Sequence, residues 1–340
     1  EDEAEGMELV SELHGEDWPA AFAANVRVKD GIAYFVHGTD GLRILDVSDI
    51  EAPLDIGFLA AESDCFNDIK LAAGPGDRLY ALSASDARGV LSIDVTDPTA
   101  PTIVTAFTPT GNPQHGVHTI FIDTFAGAPA AFIVDGYSGL MAVFDISDPA
   151  VPVRVAEYDR GPEAPAFHDL YVEGGIAYIN ATWDGMLVVD ASQPEPLLAS
   201  FASGDYSHSN WVTTAAGRKV SVHGGEGFDA HIQIVDADPA SPTYMEAIGE
   251  WQSRREVSVH NVMAVGERAY LAHYEDGVRI LDLSDPTAPE QVAYFNSWSP
   301  ALSDGSYLQG VGGIDLDLER NLIFVADSQR GLMILRITAD

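Results

Sequence analysis

A short motif recurs along the 340-residue chain, and its spacing constrains the fold more than any other feature. Its copies are "GLRILDVSDIEAP", "GVLSIDVTDPTAP", "GLMAVFDISDPAVP", "GMLVVDASQPEP", "IQIVDADPASP" and "GVRILDLSDPTAP". The apolar runs end at Asp46, Asp94, Asp145, Asp190, Asp236 and Asp282, so successive copies are 48, 51, 45, 46 and 46 residues apart. A period of this length is typical of propeller blades, each built from four short strands.

Within one repeat the sequence predicts four strands. In the sixth repeat these are "NVMAV", "RAYLAH", "GVRILDL" and "EQVAYF", and the "SDPTAP" segment between the last two has turn chemistry. Inner strands are predicted to start at residues 25, 68, 118, 168, 210, 260 and 312. The sequence therefore predicts an all-β, seven-bladed β-propeller of four-stranded blades, with residues 1–340 forming a single domain.

The two ends of the chain are expected to close the ring. The seventh repeat stops after its third strand, "LMILRI", and "MELVSEL" at residues 7–13 resembles an outer strand. We therefore predict that this N-terminal strand completes the last blade, so that neither end leaves a free edge. Residues 1–6, "EDEAEG", are expected to be a solvated acidic tail.

These repeats resemble the LVIVD-repeat family of β-propeller proteins, whose motif is present in six of the seven repeats. The C-terminal third, from "HNVMAVGERAYLAHYEDGVRILDLSDPTAPEQVAYF" onward, is also similar to exported, surface-anchored members of that group. The resemblance implies the propeller fold. It implies no particular activity, because the motif residues belong to turns.

The composition restricts the partners. Lys plus Arg number 17 and Asp plus Glu number 53, a net charge of −36 that disfavours nucleic acid and anionic membrane surfaces and is typical of solubility or salt adaptation. No apolar run reaches the roughly 20 residues of a membrane helix, so no membrane insertion is expected. Because the first residue is Glu, we expect a removed leader and a secreted, periplasmic or cell-surface monomer. The single cysteine, Cys65, excludes an intramolecular disulfide.

Histidines concentrate where a propeller would bring them together. Starts of inner strands and ends of second strands are expected to converge around one mouth of the central channel. The starts supply Asp68, His118, His168 with Asp169, His208 with Asn210, and His260 with Asn261. The ends supply His37, Asp135, Asn180, His223, His273 and Asp327, so seven of the ten histidines fall on one face.

This clustering predicts a divalent transition-metal site. Imidazole binds Zn, Cu, Mn and Fe, and the predicted ligands are His118, His168, His208 and His260. Asp169, Asn210 and Asn261 are predicted to orient the ligand rings. Asp68, His37 and Tyr274 are expected to line the pocket, as are the loop residues Trp183, Glu226 and Glu275. The alternative is that these histidines only cap loop N–H groups.

Two classes of function remain open. One is a metal-dependent hydrolase or lyase acting on a small molecule or glycan, with His223 or His273 as base and Arg255 neutralising the substrate. Copper-dependent oxidation is a variant of this hypothesis. The other is a non-enzymatic secreted module that binds a glycan or a protein. Cys65 is either a thiolate at the same rim or a buried, inert thiol.

Overall fold

The computed structural model describes residues 3–302 and 308–339. Within them, 29 strands form seven antiparallel sheets in a ring, and the remaining regular element is a short 3-10 helix, Pro300–Leu302. Each sheet is one blade, and we number the blades one to seven in chain order. The prediction of an all-β, seven-bladed propeller is confirmed.

In each blade the first strand lies nearest the axis, where the first strands of neighbouring blades contact one another. From the axis outward, blade one contains Asn25–Lys29, Ile32–His37, Gly41–Asp46 and Leu54–Ala60. Blade two contains Phe66–Gly74, Arg78–Ser85, Gly89–Asp94 and Thr102–Phe107. Blade three contains Thr119–Phe125, Ala128–Val134, Leu140–Asp145 and Val153–Asp159.

Blades four to six repeat this order. Blade four contains Asp169–Glu173, Ile176–Asn180, Met186–Asp190 and Ala199–Phe201. Blade five contains Ser207–Ala215, Arg218–Gly225, Ile232–Asp236 and Ala247–Trp251. Blade six contains Asn261–Val265, Arg268–Ala272, Val278–Asp282 and Glu290–Asn296.

Blade seven joins the two ends of the chain. Its inner strands are Val311–Asp317, Leu322–Asp327 and Gly331–Ile337, and its outermost strand is Met7–Leu13. The N-terminal strand runs antiparallel to Gly331–Ile337, with Met7 opposite Ile337 and Leu13 opposite Leu332. The predicted closure of the ring is therefore confirmed.

The acidic start of the chain is not a solvated tail as far as it is described. Glu3–Glu5 form an exposed fifth strand on blade six, with Ala4 opposite Phe295. The chain then crosses to blade seven at Gly6, whose φ is 66° and where a Cβ would lie 2.9 Å from those of Ala293 and Ala339. A glycine is needed at this crossing because a side chain has no room there.

The repeated aspartates form the turns between third and fourth strands. In six blades the aspartate at the end of the third strand accepts a hydrogen bond from the main-chain N–H two residues later, over 2.6–3.1 Å. This is the turn chemistry that the motif predicts.

The hydrophobic core lies between neighbouring blades. Phe132 and Val143 of blade three pack with Leu170 and Ile179 of blade four in one cluster of buried side chains. Because both faces of a blade are covered in this way, its middle strands are apolar almost throughout instead of alternating. No helix of the described segments is long and apolar enough to cross a membrane.

Candidate metal centre at the channel mouth

A cavity follows the axis of the ring and is lined by residues of all seven blades. Its volume is about 90 Å³, enough for several water molecules. His118, His168, His208 and His260 line one end, where the first strands of blades three to six begin. The structure thus brings together the four histidines that the sequence predicts as metal ligands.

The four imidazoles form an arc around this mouth. Ring centroids are 4.3 Å apart for His118 and His168, 4.3 Å for His168 and His208, and 4.8 Å for His208 and His260. The arc continues to Tyr274, whose ring lies 4.5 Å from that of His260. Each of the four histidines lies at the start of the first strand in its blade, so the propeller repeat itself creates the cluster.

Main-chain carbonyls fix the orientation of two of these rings. His208 Nδ1 lies 2.9 Å from the carbonyl oxygen of His260, and His260 Nδ1 contacts the carbonyl oxygen of Gly312. A carbonyl oxygen can only accept a hydrogen bond, so each Nδ1 carries the proton. In the neutral ring Nε2 therefore keeps the lone pair that a metal requires.

Burial keeps the histidines neutral. It lowers the pKa of His208 and of His260 to about 3. It also lowers the pKa of His118, and that of His168 falls well below 6.5 through burial and through the neighbouring imidazoles. Neutral imidazole is the metal-binding form, so a cation competes with few protons here at neutral pH.

Glu226 supplies a carboxylate to the arc. It follows the second strand of blade five, and its Oε1 lies 3.6 Å from His208 Nε2. Ligand atoms of His168, His208 and Glu226 all lie within 4.8 Å of one another. The hydroxyl of Tyr274 donates a 2.7 Å hydrogen bond to Glu226 Oε1. Glu226 thus joins two of the four predicted histidines, whereas His118 and His260 flank the group.

The predicted orienting residues form hydrogen bonds with main-chain groups. Asn261 Nδ2 donates to the Gly312 carbonyl over 2.9 Å, and Asn210 Nδ2 donates to the Tyr178 carbonyl over 3.0 Å. Asp169 accepts from the Leu170 N–H over 2.7 Å. Asn261 and Asn210 thus connect neighbouring blades, and Asp169 bonds within its own strand. Carbonyl oxygens orient the rings of His208 and His260.

Charged groups occupy the channel beyond the histidines. Asp68 accepts hydrogen bonds from Asn25 Nδ2, Lys70 Nζ and the Ile120 N–H over 2.6–3.0 Å, which joins blades one, two and three. Burial, together with the charge of Asp68, raises the pKa of Asp169 to about 7. Asp68 therefore lines the cavity as predicted, in a role that links blades.

Three histidines predicted at the mouth lie outside the cavity lining. His223 is buried with Nε2 2.9 Å from Ser207 Oγ, and the ring of His273 lies 6.0 Å from that of Trp251. His37 Nδ1 lies 3.2 Å from Asp40 Oδ2. All three lie at or near the ends of second strands. Neighbouring strands of a sheet are about 4.8 Å apart, so these side chains are displaced away from the axis.

Arg255 is also displaced from the cavity. Its side chain is 75% exposed and forms a two-pronged ion pair with Asp229, with Nε to Oδ1 at 2.8 Å and Nη2 to Oδ2 at 2.6 Å. Arg254 pairs with Asp276 over 2.7 Å. Both guanidinium groups are thus already neutralised by carboxylates of this chain.

Cys65 is not a thiolate at neutral pH. Burial, with nearby carboxylates, raises the pKa of its thiol to about 11. Its Sγ lies 3.6 Å from Asn67 Oδ1, to which it donates. Of the two alternatives for this residue, the geometry favours the inert thiol.

Exposed aromatic rings surround the mouth on the histidine side. Tyr137, Trp183 and Phe228 are 65%, 75% and 69% exposed, and they lie between the second and third strands of blades three, four and five. The Trp183 ring is 5.4 Å from that of Tyr206, which is 5.6 Å from that of His168. The sequence alone does not predict Tyr206, which lies two residues before His208, just before the first strand of blade five.

Comparison with solved structures supports the fold alone. Raptor from Chaetomium thermophilum superposes with a TM-score of 0.67 at 10% identity, over 93% of this chain, which spans 28% of Raptor. The WD40 repeats of RRP9 superpose with a TM-score of 0.66 at 9% identity, over 100% of both chains. No curated protein matches the sequence.

A family model identifies repeats in the sequence. The LVIVD repeat model matches residues 22–56, 131–160, 167–200 and 258–296. These segments cover strands of blades one, three, four and six, including the third strand and the aspartate turn that define the motif. The chain is thus a seven-bladed β-propeller that carries LVIVD repeats in four of its blades.

Proposed function

We propose that this protein is a metal-dependent hydrolase or lyase whose divalent transition metal is bound by His168, His208 and Glu226. The proposal rests on the convergence of two neutral imidazoles and one carboxylate, with ligand atoms within 4.8 Å of one another. Two histidines and one glutamate form the donor set of hydrolytic zinc sites. Zinc is therefore the favoured metal, with manganese, copper and iron as the alternatives.

The surrounding residues prepare this group for catalysis. The His260 carbonyl holds His208 with Nε2 free, and the Tyr274 hydroxyl holds Glu226. Three protein ligands leave a coordination position for water or a substrate oxygen, which a bound metal would polarise as a Lewis acid. His118 lines the cavity with its ring 4.3 Å from that of His168, so we assign the proton acceptor to His118 in place of His223 and His273.

The rim indicates how a substrate would approach. The cavity of about 90 Å³ is too small for a glycan, so only the reacting group would enter it. The body of the substrate would lie on the exposed rings of Tyr137, Trp183 and Phe228. Aromatic faces of this kind suit sugar rings and other flat or apolar molecules.

Metal content tests the proposal. Untagged protein is incubated with Zn²⁺, Mn²⁺, Cu²⁺ or, without oxygen, Fe²⁺, and is then desalted and analysed by inductively coupled plasma mass spectrometry. We expect about one equivalent of metal, lost in His208→Ala and in Glu226→Gln, which keeps the shape of the side chain. The exposed His14→Ala is the matched control. Hydrolysis and elimination assays would then be run on the loaded, the chelated and the reloaded protein.

A wild-type protein that binds none of these metals would overturn the proposal. So would stoichiometric metal that survives both His208→Ala and Glu226→Gln. If the metal-loaded protein turned over no ester, glycoside or uronate, the proposed metal site would stand and the proposed enzymatic activity would be wrong.

The second candidate function is a non-enzymatic binding module. The three exposed aromatic rings on adjacent blades favour it, because exposed apolar side chains that are grouped on one surface mark interaction sites. A glycan array would separate the candidates, since a binding module retains glycans without metal. Loss of that binding in Trp183→Ala would assign it to the rim.

A further inference from the structure

A second cavity lies at the opposite end of the channel. It shares Arg27, Lys70, Phe121, Trp211 and Met263 with the central cavity, and these residues lie further along the first strands than the histidines do. Phe121, Trp211 and Met263 lie three residues beyond His118, His208 and His260, so the far mouth lies roughly 10 Å further along the inner strands than the histidines.

One wall of the far mouth is cationic. Arg27 and Lys29 of blade one and Lys70 of blade two line it, in a protein with 17 basic residues and 53 acidic ones. Lys29 is paired with Asp30 and Lys70 with Asp68, so the positive charge that this wall offers to an anionic ligand is that of Arg27.

Arg27 is distinguished from the other basic residues by its partners. The other 16 each have a nitrogen within 4.0 Å of a carboxylate oxygen, whereas Arg27 has no such partner among the described residues. Its Nη1 donates to Asn25 Oδ1, Val26 O and Ile314 O over 2.6–3.0 Å. Neutral oxygens hold the guanidinium in place and leave its charge uncompensated by an ion pair.

The free side of this guanidinium has the geometry of a carboxylate site. All three of these bonds use Nη1, and Nε and Nη2 have no hydrogen-bond partner among the described residues. These two nitrogens form the edge on which arginine binds a carboxylate through two parallel hydrogen bonds.

The opposite wall is apolar. Phe121, Trp211 and Met263 come from blades three, five and six and are partly exposed to the cavity. The ring of Trp211 lies 5.8 Å from that of Phe121 and 5.2 Å from that of Tyr171. A rigid aromatic surface thus faces the cationic wall across the opening.

Asp315 is the carboxylate of this lining. It accepts a hydrogen bond from the Val28 N–H over 2.7 Å, and burial raises its pKa towards the neutral form. It therefore opposes an incoming anion less than an exposed aspartate would.

We propose that the far mouth binds a small molecule that carries one carboxylate on an aromatic or apolar body. The carboxylate lies on the Nε–Nη2 edge of Arg27, near Lys70, and the body lies against Trp211 and Phe121. This site is independent of the candidate metal centre.

Isothermal titration calorimetry with phenylacetate tests the site, on protein treated with chelator. We expect saturable binding that weakens with salt, and at least about tenfold weaker binding of 2-phenylethanol, which lacks the charge, and of acetate, which lacks the ring. Arg27→Gln and Trp211→Leu should each weaken phenylacetate binding about tenfold. Arg78→Gln, at an exposed outer position, is the matched control.

Absence of saturable binding to the wild type would overturn the proposal, as would equal affinity in Arg27→Gln and Trp211→Leu. Circular dichroism verifies the fold of each variant. If Arg27→Gln does not fold, because its bonds to blade seven are lost, Trp211→Leu on the opposite wall decides the outcome.

Discussion

At the scale of single residues, the inner strands of blades three, five and six are tied to the next blade through residues at their starts. Thr119 Oγ1 donates to the His168 carbonyl over 3.0 Å, His208 donates to the His260 carbonyl, and His260 donates to that of Gly312. Two of these hydrogen bonds between blades also orient His208 and His260 so that Nε2 keeps its lone pair. The same bonds therefore stabilise the propeller and position the candidate metal ligands.

Tyr274 is expected to affect metal affinity through Glu226. Tyr274→Phe removes the 2.7 Å hydrogen bond to Glu226 Oε1 and leaves the ring in place. The carboxylate then loses a fixed orientation, so the dissociation constant for the metal should rise by roughly tenfold, measured by competition with a chromophoric chelator. Tyr137→Phe, at an exposed position, is the control. An unchanged dissociation constant in Tyr274→Phe would show that the tyrosine does not position the ligand.

His223 is expected to make the protein sensitive to acid. Burial lowers its pKa from 6.5 to about 3, so the unfolded chain binds the proton first as the pH falls. The contribution of neutral His223 is fully present above about pH 6.5 and is lost as the pH falls towards 3. His223→Asn should remove about 2 kcal/mol of the stability change between about pH 8 and about pH 5, measured by urea unfolding. The same change in His14→Asn, at the exposed surface, would contradict the assignment.

At the scale of the strands, the first segment of the chain holds the ring together. Met7 is 5% exposed, and Leu9, Val10 and Leu13 pack against the core clusters on the two sides of blade seven. Glu3–Glu5, only a few residues earlier, are exposed throughout. Met7–Leu13 therefore stabilises the fold through buried apolar contacts, whereas Glu3–Glu5 contributes little buried surface.

Truncation separates these two strands. Removal of residues 1–13 uncovers the Gly331–Ile337 strand and should lower the thermal unfolding midpoint by about 10 °C or more. Removal of residues 1–5 deletes an exposed strand of three residues and should lower it by far less. Differential scanning calorimetry gives both values. Equal shifts for the two truncations would show that closure by Met7–Leu13 does not stabilise the ring.

The strands were predictable from the sequence, and the metal centre was predictable only in part. Repeated turns locate each blade, and histidines at the starts of inner strands are visible in the alignment of repeats. The sequence predicts Glu226 only as a pocket residue. Its hydrogen bond to Tyr274 comes from another blade, so nothing in its own repeat shows that it lies beside the histidines. His223 pairs with Asn210 across two strands that are covered on both faces, so no alternation in the sequence shows which way it points.

At the scale of the whole molecule, the excess of acidic residues opposes folding. Sixteen of the 17 basic residues are within 4.0 Å of carboxylates, and the 53 acidic residues still leave a net charge of −36. Closing the ring brings these carboxylates nearer to one another than they are in the unfolded chain. Their mutual repulsion therefore opposes folding.

Salt is expected to stabilise the protein for this reason. Screening at about 1 M NaCl reduces repulsion among exposed carboxylates more than it weakens the fewer ion pairs, which are outnumbered. The unfolding midpoint at neutral pH should rise by about 5 °C or more between about 0.05 M and about 1 M NaCl. The rise should shrink near pH 5, closer to the pI of 4.2, because the net charge is smaller there. A midpoint that falls with salt would mean that the ion pairs outweigh the repulsion, and a rise of the same size at both pH values would point to an effect of salt on apolar burial instead of charge.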